Sequence, residues 1–190
     1  MAIDPFAEER SRIRRLTVNN RGDEIEVVSR PRYWMYAPGP QACLWEEFYR
    51  DGIMGIKPDE VGDLTKFKEK ADIQKAMKRL RGDSSSHAND VLSLWQIYNE
   101  DEMRVGDVVF AKRGRRCIVG RGTVESAYRF DSTRSEYRHV RTVNWTHIGE
   151  WEHPGLADAK TLTDITRYTQ RVEELKARVL GGRWSTYTRG

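Results

Sequence analysis

Tyr33-Trp34-Met35-Tyr36-Ala37 ends at Pro38-Gly39-Pro40, and Trp45 stands just beyond it. Much later comes a glycine-punctuated basic run, Val105-Gly106-Asp107-Val108-Val109-Phe110-Ala111-Lys112-Arg113-Gly114. Aromatic faces stack on nucleobases and Lys or Arg neutralise phosphates, so rings beside cations suit a nucleotide. Candidate walls of a base pocket are Trp34, Tyr36 and Trp45 near the first strand, with Tyr128, Phe130 and Tyr137 from the basic region. Candidate phosphate ligands are Lys112, Arg113, Arg115, Arg116, Arg129 and Arg138.

The chemistry of such a pocket sets its cost. A methyl group adds little binding energy alone, so discrimination needs a dry pocket in which rings contact the methyl while polar groups read the base edge. Unstacking the base costs a few kcal/mol, to be offset by stacking of ~1–3 kcal/mol per base and by phosphate contacts.

The elements that must hold these residues follow from periodicity. Arg32 to Ala37 alternates with aromatic content on both faces, which predicts a strand ended by Pro38-Gly39-Pro40. A short helix is expected from Gln41 to about Arg50, then an apolar strand Ile53-Met54-Gly55-Ile56, then a loop through Gly62 and Asp63. Ile73, Ala76, Met77 and Leu80 predict an amphipathic helix over 72–80 closed by Gly82, and Arg81-Gly82-Asp83 is better explained as that cap than as an adhesion tripeptide. Asn89 or Asp90 is expected to cap a second helix carrying Val91, Leu94, Trp95 and Tyr98, with Trp95 structural. Strands are then expected at 107–111, 117–130 and 137–148. Gly120-Arg121-Gly122 implies a bend or close backbone approach in a curved barrel. Leu162, Ile165, Tyr168, Val172, Leu175 and Val179 step by three and four, predicting a C-terminal helical segment closed by Gly181-Gly182.

Composition bounds the function classes. A 190-residue chain with 38% hydrophobic residues makes one ordinary domain with tails. Six Trp and eight Tyr exceed what such a core needs, so some rings are available to a site. Between Asp107 and Arg141 there are nine basic residues against four acidic ones, a concentration that attracts polyanions; the alternative is a solvated charged face. Cys43 and Cys117 are the only cysteines, and no apolar run reaches a membrane span or a secretory core, so a cytoplasmic, reduced setting is expected.

Enzymatic readings find little support. A Walker-type glycine loop is missing, and His87, His139, His147 and His153 are too scattered for a recognised metal spacing. Glu174-Leu175-Lys176 has nuclease-like letters but lies in a helical pattern, and Asp59, Glu60 and Asp63 are better explained by a capped turn. The expectation is a binding domain with neither cofactor nor metal.

Taken in order, Tyr33 to Gly39, Trp45-Glu46-Glu47-Phe48-Tyr49, Gly52 to Ile56, Gly62-Asp63-Leu64, Gly106 to Gly114 and Arg141-Thr142-Val143-Asn144-Trp145 resemble an EVE-type domain. More narrowly, they resemble the EVE-like domain at the N-terminus of McrB-like AAA+ GTPase subunits of modification-dependent restriction systems, over roughly residues 32–180. The resemblance implies an α/β (α+β) fold, a PUA-like curved β-barrel related to YTH domains with peripheral helices. It implies a domain over 31–181, preceded by an extension over 1–30 and followed by a tail or linker over 182–190. It further implies modified-base recognition in DNA by base flipping into an aromatic pocket, with walls among Trp34, Tyr36, Trp45, Tyr128 and Tyr137. The partners would be modified duplex DNA, an AAA+ GTPase motor and a nuclease subunit. Alternatives are an RNA-binding reader of modified RNA and a protein-interaction domain. One departure stands out: such members carry a Trp ahead of the acidic residue after the apolar strand, whereas this chain has Pro58 ahead of Asp59. Proline can stack its flat face on a base, less well than indole, so either another ring substitutes or the ligand differs.

Overall fold

Alternation in the aromatic strand has a two-sided origin. The computed structural model describes the backbone of residues 13–18 and 24–29 and the whole of residues 30–181. In it Tyr33–Tyr36 forms β3, whose Trp34 and Tyr36 enter one core while Met35 enters another. The first core also takes Phe48 of α1 (Trp45–Asp51), Ile73 and Met77 of α2 (Lys70–Arg81), and Val91, Leu94 and Ile97 of α3 (Ala88–Tyr98). The second takes Val172, Leu175 and Val179 of α4 (Thr169–Gly181). A strand buried on both faces needs apolar side chains at successive positions. The same holds for β5 (Val108–Arg113), where Val109 and Ala111 join the first core and Val108 and Phe110 the second.

The remaining strands complete one curled sheet, a half-barrel with helices on both faces. They are β4 (Ile53–Ile56), β6 (Cys117–Val124), β7 (Arg129–Phe130), β8 (His139–Glu152) and β9 (Leu162–Asp164), in the order β4-β8-β6-β5-β3-β9 with β7 beside β8. Among the described residues only β3 and β5 pair in parallel, and the chain between them is long enough for α1, β4, α2 and α3. β1 (Ile13–Val18) and β2 (Glu24–Ser29) pair as a separate antiparallel ribbon. Residues 182–190, expected to be a tail, lie outside the described residues.

Curvature comes from β8 changing partners. Residues 139–142 pair with β4, and 143–152 pair with β6 across two register shifts. Gly120 and Gly122 sit in the shifted stretch because nothing larger fits. A Cβ on Gly120 would lie 2.2 Å from the Trp45 ring, and one on Gly122 would lie 2.6 Å from Val143 and 2.7 Å from the Asn144 carbonyl.

Four expectations are corrected. The helix expected from Gln41 begins at Trp45, because Gln41 and Ala42 take positive φ (50° and 57°) in a single 3-10 turn. α3 begins at Ala88 after a left-handed His87, with no side-chain cap, and Asp90 pairs with Arg81 instead. The strand expected over 117–130 breaks after Val124: Ser126 leaves the ladder, its hydroxyl accepting from Thr142 N–H and its carbonyl from Arg141. Finally, Leu162–Asp164 is not helical but strand β9, with Leu162 opposite Tyr36, and α4 starts only at Thr169. A three-residue step satisfies a strand followed by a turn as well as it satisfies a helix, and the edge of β3 supplied the pairing.

The expected cationic surface is also smaller than the sequence count. Arg141 is fully buried, donating to the carbonyls of Ile97 (2.6 Å) and Ser126 (3.0 Å) and pairing with Glu100 (3.0 Å). It closes the C-terminal end of α3, where carbonyls lack partners within the helix. Arg121 is buried as well. Among the described residues no helix is long and apolar enough to cross a membrane.

Candidate functional site

The ends of strands and helices from both halves of the sheet, with the loops beside them, surround a cleft of about 500 Å³. Ala37, Gly39, Pro40 and Gln41 come from the exit of β3, and Lys57 and Pro58 from the loop after β4. Arg81 ends α2 and Asp90 begins α3, while Lys112, Gly114 and Arg115 come from the β5–β6 hairpin. Tyr137, just before β8, and Ala159 and Thr161, just before β9, complete the lining. Four cations therefore face one carboxylate, and that carboxylate, Asp90, is held by Arg81 at 3.0 Å.

The apolar walls are fixed from behind. Tyr137 takes a left-handed backbone (φ 55°), uncommon for a residue with a bulky side chain. Asp59 holds it there: one carboxylate oxygen accepts from Tyr137 N–H (2.8 Å) and the other from Arg138 N–H (2.6 Å). The Lys57 ammonium lies 4.8 Å from the Tyr137 ring centroid and pairs with Glu136. Burial, foremost, pushes the Tyr137 phenol pKa up, with nearby Lys57 pulling it back.

Pro58 is anchored through a buried histidine. The Pro58 carbonyl can only accept, so His139 Nε2 carries the proton and donates to it at 2.9 Å. The neutral ring then accepts at Nδ1 from the Tyr128 hydroxyl (2.9 Å), whose oxygen accepts from Leu64 N–H (3.2 Å). Burial holds the His139 pKa below the ordinary histidine value, against the Pro58 contact and the carboxylates of Asp59, Asp63 and Glu60, which raise it. Asp63 meanwhile caps the following turn by accepting from Thr65 N–H, the turn-capping role expected of that cluster.

Of the predicted phosphate ligands, the structure brings Lys112 and Arg115 into the cleft. Lys112 is buried, donates to the Asp158 carbonyl, and has its pKa drawn down chiefly by burial. Arg115 donates to the Ala157 carbonyl at 2.8 Å. Arg113 pairs with Glu150 and Arg129 with Asp131, Arg116 is exposed on the hairpin, and Arg138 donates to the Arg134 carbonyl; none of these four lines the cleft.

Of the predicted walls, Tyr137 alone lines it. Trp34 is fully buried, its indole N–H donating to Asp107 at 2.9 Å. Tyr36 is equally buried, its hydroxyl donating to the Gly55 carbonyl (2.7 Å) and accepting from Gly55 N–H (3.0 Å). Trp45 packs edge-on against Trp145 at 4.8 Å and covers Gly120. Tyr128 and Phe130 flank His139 at 6.0 and 5.3 Å. Sequence reasoning missed Lys57, Arg81, Asp90 and Gln41. Arg81 and Asp90 bear only the signal of a helix end and a helix start, and it is their convergence on one cleft that makes them matter.

No curated protein matches the chain. Among solved structures it is similar to the YTH domain of the Zygosaccharomyces rouxii MRB1 protein, crystallised in complex with N6-methyladenosine RNA. The two share 12% identity with a TM-score of 0.40 over 84% of this chain and 94% of that one. A family model described as a domain of unknown function, DUF8426, matches residues 34–170, from β3 into the first turn of α4, and the chain belongs to that family.

Proposed function

We propose that the chain is a nucleic-acid-binding module that takes one modified base, N6-methyladenine or a modified cytosine, into the cleft between Pro58 and Tyr137. The observation that carries this reading is the convergence of Tyr137 and Pro58 with Lys57, Arg81, Lys112 and Arg115 on one volume of about 500 Å³. Small-molecule sites span roughly 300–1,000 Å³, so one nucleoside fits. A flat ring beside four cations suits a base joined to its phosphate, and the wall carbons of Pro58, Pro40 and Ala37 suit contact with an added methyl. The reading is of binding rather than catalysis, since the carboxylate of the cleft, Asp90, is engaged by Arg81.

The succession of motifs resembling EVE-like domains supports a finer assignment: a specificity domain for modified DNA in a McrB-like restriction system, its AAA+ motor and nuclease supplied elsewhere. The test is anisotropy competition at one salt concentration with matched duplexes carrying no modification, N6-methyladenine or 5-methylcytosine, and RNA counterparts. A tenfold preference for one modified probe, about 1.4 kcal/mol, is expected, and Tyr137→Ala should abolish it while leaving unmodified binding in place. A preference confined to RNA would replace the DNA assignment with an RNA reader. Equal, weak, salt-sensitive binding to every probe would overturn base recognition and leave a cationic surface only.

A further inference from the structure

A second hollow, of about 410 Å³, opens at the start of α4, with Pro154, Arg167, Tyr168 and Arg171 among its lining. The guanidinium centres of Arg167 and Arg171 lie 4.9 and 5.3 Å from the Tyr168 ring centroid, and Tyr168 is exposed. Arg81, Arg113, Arg129 and Arg134 each meet a carboxylate, but among the described residues Arg167 and Arg171 do not. The one acid of the hollow, Glu174, accepts from the Gln170 amide at 3.1 Å. Two arginines gathered on an exposed ring and left without an anion form a surface for an anion that carries flat groups.

The hollow is joined to the cleft by a short, pinned segment. Pro154 lines the hollow, whereas Ala159 and Thr161 line the cleft. The segment between is fastened to the basic hairpin: His153 N–H donates to the Arg116 carbonyl (2.7 Å) and Ala157 N–H to the Arg115 carbonyl (2.9 Å). Arg115 and Arg116, both exposed, thus lie beside the route, with Asp158 the acid along it. From Pro154 to Ala159 the chain can extend at most about 18 Å, the length of about five phosphates of one B-form strand. The two places are therefore within reach of a single strand of a few nucleotides.

We propose that the hollow is a second contact for the strand whose base enters the cleft, with Arg167 and Arg171 on its phosphates and Tyr168 against a neighbouring base. The proposal rests on the reading of the cleft as a nucleotide site. It makes recognition depend on strand length: the cleft reads one nucleotide, and the start of α4 holds the strand further along.

Anisotropy titrations of the 190-residue chain test this with single-stranded RNA and DNA probes bearing one N6-methyladenine, either trinucleotides or strands of roughly twelve residues. For Arg167→Gln with Arg171→Gln, the longer probe should bind about tenfold more weakly, and its slope of log K against log[salt] should shrink by about 1.4, or two phosphate contacts. The trinucleotide should lose less affinity than the longer probe, and the preference for the modified base should not change. Tyr168→Ala should weaken the longer probe with its salt slope intact. Equal affinity and slope for the double variant and the wild type on the longer probe would overturn the second contact and leave the cleft reading standing. If the wild type binds neither length in either backbone and no modified duplex either, the cleft reading falls and this proposal with it; binding to modified duplex alone keeps the cleft reading and overturns the single-strand contact at α4.

Discussion

Tyr36 and Tyr137 are the same side chain in two settings. Tyr36 stands in β3 with its ring in the core, and its hydroxyl closes both polar groups of Gly55 in β4, at the far end of the curled sheet. Tyr137 is half-buried at the cleft, and what is held is its backbone, by Asp59, while a lysine lies over the ring. Burial pushes both phenol pKa values up. The difference lies in where the polar partners are: a ring whose polar atom is matched inside the fold serves the fold, and a ring matched only through its backbone leaves its side chain for something else. Trp34 belongs with Tyr36, since its indole N–H ends on Asp107, a buried carboxylate that also accepts from the backbones of Arg32 and Arg104.

The largest effect that tests this division is on stability. Trp34→Ala should cost about 3–5 kcal/mol in urea or guanidinium unfolding, through lost burial and the loss of one donor from Asp107. Tyr137→Ala should cost clearly less, through the edge contact of its ring with Phe48 at 5.8 Å, while removing preference for a modified base. A Trp34→Ala chain with near-native stability but no modified-base preference would break the comparison and return Trp34 to the site.

A finer cut keeps the ring and removes one atom. Tyr36→Phe leaves a buried N–H and a buried carbonyl on Gly55 unmatched, so a loss of about 1–3 kcal/mol is expected by the same unfolding measurement. Tyr137→Phe should be neutral in that assay. Equal costs at the two positions would mean that the Tyr137 hydroxyl is also part of the fold.

How far the sequence discloses this division can be argued from the same residues. Strands β3 and β5 are legible because alternation and β-branched or aromatic content are local, and Gly120 is legible as a close approach because glycine inside a strand has few other reasons. Which ring faces a ligand is not legible. The partner of Trp34 lies 73 residues away, and that of Tyr36 lies across a helix and a turn. Lys112 is legible as a cation but not as a buried one, and Arg141 counts toward a basic patch it does not enter. Leu162 misleads because its strand partner, Tyr36, is 126 positions earlier, so only a local helical step was visible. Pro58 stands out only by resemblance, as the residue occupying a ring's place, and it lines the cleft.

The smallest effect tests the seam where core and cleft meet. His139 is inside the fold, yet through Pro58 it holds a cleft wall, and its folded-state pKa is depressed chiefly by burial. An unfolded chain therefore takes up a proton near the ordinary value of 6.5 when the folded one does not. Stability from this group is complete above that pH and is lost as pH falls below it, until the folded histidine itself titrates, at no more than about 1.4 kcal/mol per pH unit for one site. His153 acts in the same direction, since burial and the nearby Arg171, Lys112 and Arg178 lower its pKa too. His139→Gln separates the two: unfolding midpoints between pH 7.5 and 5 should fall less steeply in this variant than in the wild type, with the His153 share of the slope remaining. Protonation also turns Nδ1 into a donor facing the Tyr128 hydroxyl and so reverses that hydrogen bond, while Nε2–H still donates to the Pro58 carbonyl and Leu64 N–H to the Tyr128 oxygen. Modified-base affinity should therefore hold through that interval and weaken only at lower pH, where the folded histidine itself titrates, in the wild type and less so in His139→Gln; identical pH profiles in both chains would place the cleft wall outside the reach of His139 and sharpen the boundary between the two regions at Pro58.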